Sequence, residues 1–142
     1  MRATGLIDTG ALLALLDEDD DWHARCAEAF ATLRLPLATS AAVLCELFHL
    51  LGPGRRDVEK AWQFLRSGAV VLMPVDETDA SELERLMKRY ADRPMDFADA
   101  TLVRLAERES LSTVFTVDHD DFDTYRIHGR TRFRIVPRRV ER

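Results

Sequence analysis

The sequence predicts an α/β fold, a three-layer sandwich in which helices flank a parallel five-stranded sheet. Short apolar segments, several of them rich in β-branched residues, alternate along the chain with longer segments of helical periodicity. Most of the strand segments are apolar throughout, which indicates burial on both faces. Acidic residues directly follow two of these segments. Alternating strands and helices favour a parallel sheet joined by right-handed crossovers.

The composition is that of a single globular domain spanning residues 1–142. The chain is 46% hydrophobic and 32% charged, and at 142 residues it is long enough to bury roughly two-thirds of its unfolded surface. The apolar run at residues 10–16 is too short to span a membrane and has no cleavage site after it, so we expect a cytoplasmic protein without membrane contact. Cys26 and Cys45 have no CxxC or histidine-rich companion, so we expect both thiols to be reduced and buried.

The first half of the chain contains two predicted strands and four predicted helices. In order, the pattern predicts a strand at residues 4–7, helices at 10–16 and 22–34, a strand at 35–39, and helices at 41–51 and 57–66. Ser40 is the expected N-cap of the helix at 41–51, and Gly52 ends it.

The second half continues the alternation. The pattern predicts a strand at residues 70–75, helices at 79–91 and 95–109, and strands at 113–117 and 132–136. Pro94 separates the two helices, because proline does not continue a helix.

Four acidic residues lie where a structural role does not readily explain them. Asp8 and Asp118 each follow a predicted strand, so both side chains reach the sheet edge at which α/β proteins bind ligands. Glu46 interrupts an apolar helix, and a buried glutamate is rare unless it is paired or bound to a metal. Asp99 lies one helical turn from Asp96, and like charges at that spacing repel each other. A cap, a turn or an ion pair is a sufficient explanation for any one of these acids alone. It is a poor explanation for all four together.

These carboxylates predict a site for a divalent cation. No lysine or arginine stands at an obvious pairing position, and crowded carboxylates raise one another's pKa unless a cation neutralises them. Oxygen ligands without a cysteine or histidine alternative favour Mg²⁺ or Mn²⁺ over zinc. Such an ion lowers the pKa of a bound water and polarises a phosphoryl oxygen, which is the chemistry of phosphodiester hydrolysis.

Four motifs, in order along almost the whole chain, resemble those of PIN-domain ribonucleases. They read LIDTGALLALL, TSAAVLCELFHLL, MDFADATLVRLAE and VFTVDHDDF, and the closest resemblance is to the VapC-type toxins of toxin–antitoxin pairs. The resemblance implies a PIN-like sheet in the strand order 3-2-1-4-5. It also implies a Mg²⁺-dependent endoribonuclease, with Mn²⁺ as a substitute, whose catalytic and metal-binding acids match Asp8, Glu46, Asp99 and Asp118. The implied partners are the RNA substrate, a second copy in a homodimer, and a small antitoxin that covers the groove.

The accessory residues are less sharply defined by the motifs. The fourth motif is one residue longer than the usual T-x-D-x-D-F, so Asp120 and Asp121 both remain candidates for the accessory acid. Asp96 is an accessory acid in one interpretation and an N-cap in the other. Thr9 and Thr116 are expected to orient a ligand or a water, although turn and strand roles fit them equally well.

The arginine-rich C-terminal segment gives a further prediction. The net charge of −5 argues against bulk attraction to nucleic acid, yet residues 126–142 hold seven arginines and one glutamate. We expect contacts to RNA or antitoxin from four of them: Arg126, Arg130, Arg132 and Arg134. A solvated edge strand is the simpler alternative. For the whole protein the alternative is a non-catalytic PIN-like module that binds RNA or protein, although such a module would be expected to lack one or more of the acids.

Overall fold

A computed structural model describes residues 2–139, apart from the side chain of Arg55. Glu141 and Arg142, which belong to the arginine-rich segment, lie outside the described residues. Within this range the strands are β1 (Leu6–Ile7), β2 (Leu37–Thr39), β3 (Val70–Leu72), β4 (Thr113–Phe115), β5 (Arg126–Ile127), β6 (Thr131–Arg132) and β7 (Arg134–Val136). Five of them form a parallel sheet in the order β3-β2-β1-β4-β7. Because β7 is the fifth strand of this sheet along the chain, the expected 3-2-1-4-5 order is confirmed.

Helices flank this sheet, as predicted. They are α1 (Thr9–Leu16), α2 (His23–Thr32), α3 (Ala41–Leu51), α4 (Arg55–Arg66), α5 (Ala80–Arg89), α6 (Phe97–Glu109) and α7 (His119–Thr124). Helix α1 packs against α2, α3 and α4, while α6 packs against α5 and α3. Among residues 2–139 no helix is long and apolar enough to cross a membrane.

Three local features differ from the sequence prediction. Helix α7 was not predicted, because its six residues, HDDFDT, are too few and too polar for an apolar period to appear. The predicted strand at 132–136 is divided at Phe133, whose ring is buried. The residues before it pair antiparallel with β5, and those after it pair parallel with β4. Cys26 is buried as expected, but Cys45 is exposed, so the prediction for that thiol was wrong.

The sheet register brings the ends of β1 and β4 side by side. Ile7 pairs with Phe115, and the next backbone N–H, that of Asp8, donates to the Phe115 carbonyl at 3.1 Å. Parallel strands end at one edge, so Asp8 and the residues after Phe115 emerge together. The site therefore lies at the carboxyl edge of the two central strands.

Polar caps start the helices at this edge. Asp8 Oδ1 accepts from the Ala11 N–H of α1 at 3.2 Å, and Asp96 Oδ1 accepts from the Asp99 N–H of α6 at 2.8 Å. Ser40 caps α3 in the same way, as predicted. These caps satisfy N–H groups that a helix start leaves without a partner, and they fix three helix termini around one region.

Candidate active site

A groove at the carboxyl edge contains all four of the predicted acids. We name it the acid groove; its volume is about 370 Å³. Its lining residues follow the ends of β1 and β4, belong to the first turns of α1 and α6, or lie on one face of α3. They are Asp8, Thr9, Gly10, Val43, Glu46, Leu50, Asp96, Ala98, Asp99, Val117 and Asp118. Residues up to 110 positions apart in sequence thus line one depression.

Three carboxylates in and beside this groove come closest together. Asp99, Asp118 and Asp121 each offer an oxygen within 4.8 Å of the others. Asp120, the other candidate for the accessory acid, instead forms an ion pair with Arg139. The geometry therefore favours Asp121 over Asp120 as the companion of Asp118.

Asp8 is held by neutral donors rather than by a cation. The Thr116 hydroxyl donates to Asp8 Oδ2 at 2.5 Å, and the same hydroxyl oxygen accepts from the Asp118 N–H at 2.9 Å. Thr116 is fully buried, so this bridge is shielded from water. One hydroxyl therefore fixes the relative positions of Asp8 and Asp118. That Thr116 orients a ligand or a water stays a prediction.

Asp99 lies in the first turn of α6 and is half-buried. The Tyr125 hydroxyl donates to Asp99 Oδ2 at 2.9 Å. Asp96 caps α6 and also lines the groove, so both of its predicted roles are compatible with its position.

Glu46 and Thr9 occupy the α3 side of the groove. Glu46 was expected to be buried, but its side chain is exposed, so it needs no partner to offset burial. It projects from α3 at the mouth of the groove. Thr9 is buried, and its hydroxyl donates to the Val43 carbonyl at 3.4 Å, which ties α1 to α3.

The electrostatics of the groove favour the binding of a cation. Burial raises the pKa of Asp8 to about 7, against the lowering effect of its hydrogen bonds. Burial, and then the charge of Asp96, raise the pKa of Asp99 to about 8. Burial and the neighbouring Asp121 raise the pKa of Asp118 to about 6. Among the side chains described, no lysine or arginine lies within 4.0 Å of these three carboxylates or of Glu46.

Gly10 allows α1 to approach closely the segment that follows β4. A Cβ atom at this position would lie 2.7 Å from Val117 Cγ2, closer than real contacts allow. Val117 directly precedes Asp118, so a side chain at position 10 would force Val117 to shift beside that acid. Packing therefore favours glycine at this position of the first motif.

The four arginines predicted to contact RNA or antitoxin do not line the acid groove. Arg126 donates through Nη1 to the carbonyls of Asp123, Thr124 and Tyr125, so it closes the end of α7. Arg130 and Arg132 belong to the β5–β6 hairpin region, and both are exposed.

Arg134 begins β7 opposite Thr113, the first residue of β4. It therefore lies at the amino edge of the sheet, away from the acid groove. Contacts from these arginines to RNA or antitoxin stay a prediction.

Sequence reasoning missed two residues that touch the acids. Tyr125 hydrogen-bonds Asp99, and Arg93 lies 3.5 Å from Asp121 between Nε and Oδ1. Both contacts join segments 26 to 28 positions apart, so no local period or motif spacing indicates them.

The fold and the groove define an α/β protein whose acids converge at the carboxyl edge of a 3-2-1-4-5 sheet. The family model described as PIN domain matches residues 5–127. The chain belongs to the PIN-domain family, and the resemblance predicted from the four motifs is confirmed.

A curated relative narrows the comparison. The chain is 33% identical over 135 residues to Ribonuclease VapC26 of Mycobacterium tuberculosis (strain ATCC 25618 / H37Rv), covering 93% of this chain and 99% of that protein. The match spans nearly the full length of both proteins.

Solved structures share the fold. The Mycobacterium tuberculosis toxin VapC20, described as cleaving the sarcin-ricin loop, aligns with a TM-score of 0.73 and 23% identity over 81% of this chain and 90% of that one. VapBC2 of Rickettsia felis, solved with a DNA fragment from its promoter, aligns with a TM-score of 0.62 and 16% identity over 82% and 89%. Because the sequence identities are only 23% and 16%, these two comparisons show a shared fold and carry no conclusion about activity.

Proposed function

We propose that this chain is an endoribonuclease that hydrolyses RNA phosphodiester bonds with Mg²⁺, or with Mn²⁺ in its place. It acts in the cytoplasm as the toxin of a toxin–antitoxin pair, and residues 1–142 form a single PIN domain. The observation that carries the proposal is the convergence of Asp99, Asp118 and Asp121 within 4.8 Å. Among the described side chains, Arg93 lies within 4.0 Å of Asp121, and no lysine or arginine lies that close to Asp99 or Asp118. The similarity to Ribonuclease VapC26 supports the same reaction class.

The donor set fits a hard divalent ion. Asp99, Asp118 and Asp121 would hold the ion, with Asp8 and Glu46 completing the site from β1 and α3. Carboxylate oxygens are the ligands that Mg²⁺ and Mn²⁺ prefer. When bound, the ion supplies positive charge for a phosphoryl oxygen and acidifies an attacking water.

The chain's own residues supply position and proton transfer. Asp8 is fixed by Thr116 and by the Ala11 N–H, so its carboxylate is positioned to accept a proton from the attacking water. Glu46 is exposed at the mouth of the groove, where it orients that water. Tyr125 holds Asp99 in place.

Exposed apolar side chains beside the acids support a protein partner. Leu50 is 55% exposed and lines the acid groove, and Phe97, 53% exposed, lies next to Asp96. Large apolar side chains exposed around a polar site mark interaction surfaces. In this proposal a small antitoxin covers them and blocks the groove, and two copies of the chain form a homodimer.

The purified chain tests the proposal with a fluorescently labelled pool of single-stranded RNA. We expect cleavage with Mg²⁺ or Mn²⁺, loss of cleavage in excess EDTA, and recovery when either ion is restored. Zinc should restore little. A parallel preparation of Asp8→Asn controls for contaminating nuclease. Undiminished cleavage in EDTA would overturn the metal mechanism, and RNA binding without cleavage would favour the non-catalytic alternative.

A further inference from the structure

A second groove adjoins the acid groove on the far side of Asp118. We name it the tryptophan groove; it has a volume of about 660 Å³. Trp22, Arg25, His119, Asp120 and Arg139 line it, together with Val117 and Asp118. The last two residues also line the acid groove, so the two depressions meet at one of the acids.

Three planar groups form one wall of the tryptophan groove. The Arg25 guanidinium carbon lies 4.5 Å from the Trp22 ring centroid. The His119 and Trp22 ring centroids are 5.3 Å apart, with planes inclined by 42°. His119 is itself held by the Pro137 carbonyl, 2.7 Å from Nε2. Unpaired bases stack on aromatic side chains and on arginine planes.

Two arginines, Arg25 and Arg139, line the tryptophan groove, whereas no arginine or lysine lines the acid groove. Arg139 forms an ion pair with Asp120, and Arg25 donates to the Arg138 carbonyl. Both guanidinium groups are thus held beside the aromatic wall. Arginine binds phosphate through two parallel hydrogen bonds, so a phosphate could replace Asp120 as the partner of Arg139.

We propose that the tryptophan groove binds an unpaired nucleotide of the RNA next to the scissile phosphate. Its base stacks on the wall that Trp22, Arg25 and His119 form, and its phosphate lies between Arg25 and Arg139. The inference rests on the proposed ribonuclease function, because it takes the acid groove as the site of cleavage. The groove volume lies in the range of pockets that enclose a small-molecule ligand. The RNA contacts then come from Arg25 and Arg139, close to the acids.

The two tryptophans of the chain provide a direct measurement. Trp62 lies on α4 against Phe48 and lines neither groove, and it is 51% exposed. A Trp62→Phe protein therefore emits from Trp22 alone, and a Trp22→Phe protein is its matched control. Both proteins also carry Asp99→Asn, which prevents cleavage. Single-stranded RNA should quench the tryptophan fluorescence of the Trp62→Phe protein and leave that of the Trp22→Phe protein unchanged. An abasic strand of equal length should quench neither.

Binding constants extend the test. Trp22→Leu should weaken RNA binding roughly 5- to 150-fold, the usual range for the loss of one stacked base. Arg25→Gln should lower the log–log salt slope by about 0.7. Trp62→Leu and Arg66→Gln are the matched controls on α4. They should change neither the affinity for RNA nor its log–log salt slope. If Trp22→Leu fails to fold by circular dichroism, the quenching comparison decides alone.

The outcomes separate this inference from the proposed function. Wild-type cleavage of RNA without Trp22 quenching overturns the nucleotide site and leaves the nuclease in place. Quenching without any metal-dependent cleavage overturns the nuclease instead. Equal quenching by the abasic strand, or quenching by an antitoxin peptide but not by RNA, also overturns the nucleotide site.

Discussion

Two buried aspartates, Asp8 and Asp79, have opposite surroundings. Asp79 is 1% exposed and receives Arg104 Nε at 2.8 Å and Arg108 Nη1 at 2.9 Å. Asp8 is 7% exposed and receives only a threonine hydroxyl and a backbone N–H. Arginine hydrogen bonding lowers the pKa of Asp79, whereas burial raises the pKa of Asp8 to about 7.

The same helix carries both environments. The first turn of α6 presents Asp99 to the acid groove, and its last turns present Arg104 and Arg108 to Asp79. A carboxylate with two arginines has its charge offset inside the protein, and it serves to join elements. A carboxylate without one is stabilised only by a proton or by a cation from solution. From this difference we infer that Asp79 has a structural role, and it supports the functional role proposed for Asp8.

The largest expected effect comes from exchanging each acid for its amide. Asp99→Asn should reduce RNA cleavage by about 100-fold or more, since it removes a proposed ligand of the divalent ion, while the melting temperature of the protein holds or rises. Asp79→Asn should leave cleavage per folded molecule unchanged and cost about 3 kcal/mol of unfolding free energy, because two arginines lose their charged partner. Cleavage assays and denaturant unfolding on the same samples measure both. Loss of stability in Asp99→Asn instead would place that residue with the structural acids.

The pH dependence of stability should differ between the two regions. In EDTA, Asp8, Asp99 and Asp118 have folded pKa values of about 7, 8 and 6, above the ordinary 3.8. The folded state then binds more protons than the unfolded state. The contribution of these three carboxyl groups to the free energy of unfolding is therefore fully present below their unfolded pKa, and it is lost as the pH rises through their folded pKa values. The pKa of Asp79 is lowered, so its contribution has the opposite pH dependence. That contribution is present above the unfolded pKa of Asp79 and is lost as the pH falls through its folded pKa.

Thermal melts with and without Mg²⁺ measure this difference. The ion should raise the melting temperature more at about pH 8 than at about pH 5, because protons already neutralise the groove in acid. Asp99→Asn should reduce the pH dependence, and Glu84→Gln, at an exposed surface pair, serves as a charge-matched control. An equal effect of Mg²⁺ at both pH values would contradict the raised pKa values.

The smallest effect is expected from Tyr125→Phe. The lost hydroxyl donates to Asp99, and this hydrogen bond lowers the pKa of that carboxyl against the effect of burial. Without it the acidic limb of the pH–rate profile should move to higher pH, with a several-fold loss of cleavage below neutrality and little change in alkaline solution. Tyr90→Phe, which removes a hydroxyl bonded to the Arg126 N–H, is the matched control. A uniform loss across the pH range would indicate a packing defect.

The sequence predicted the order of the main helices and strands and the segments that bring the acids together. Helix α3 at Ala41–Leu51 matches its predicted range, because its apolar period, its serine cap and its terminal glycine are local signals. Asp8 and Asp118 were identified for a similar reason, since the end of a parallel strand determines the sheet edge that the next residue reaches.

Only the tertiary structure decided which side chains meet. Asp121 rather than Asp120 joins the carboxylate cluster because α7 turns one toward Asp99 and lets the other reach Arg139. The contact between Tyr125 and Asp99 and the wall formed by Trp22 and His119 join segments that are distant in sequence. The exposure of Glu46 depends on how α3 is rotated about its axis. Local periodicity fixes what an element is and which residues share its face. The distances between faces depend on the packing of the whole core, which no single segment encodes.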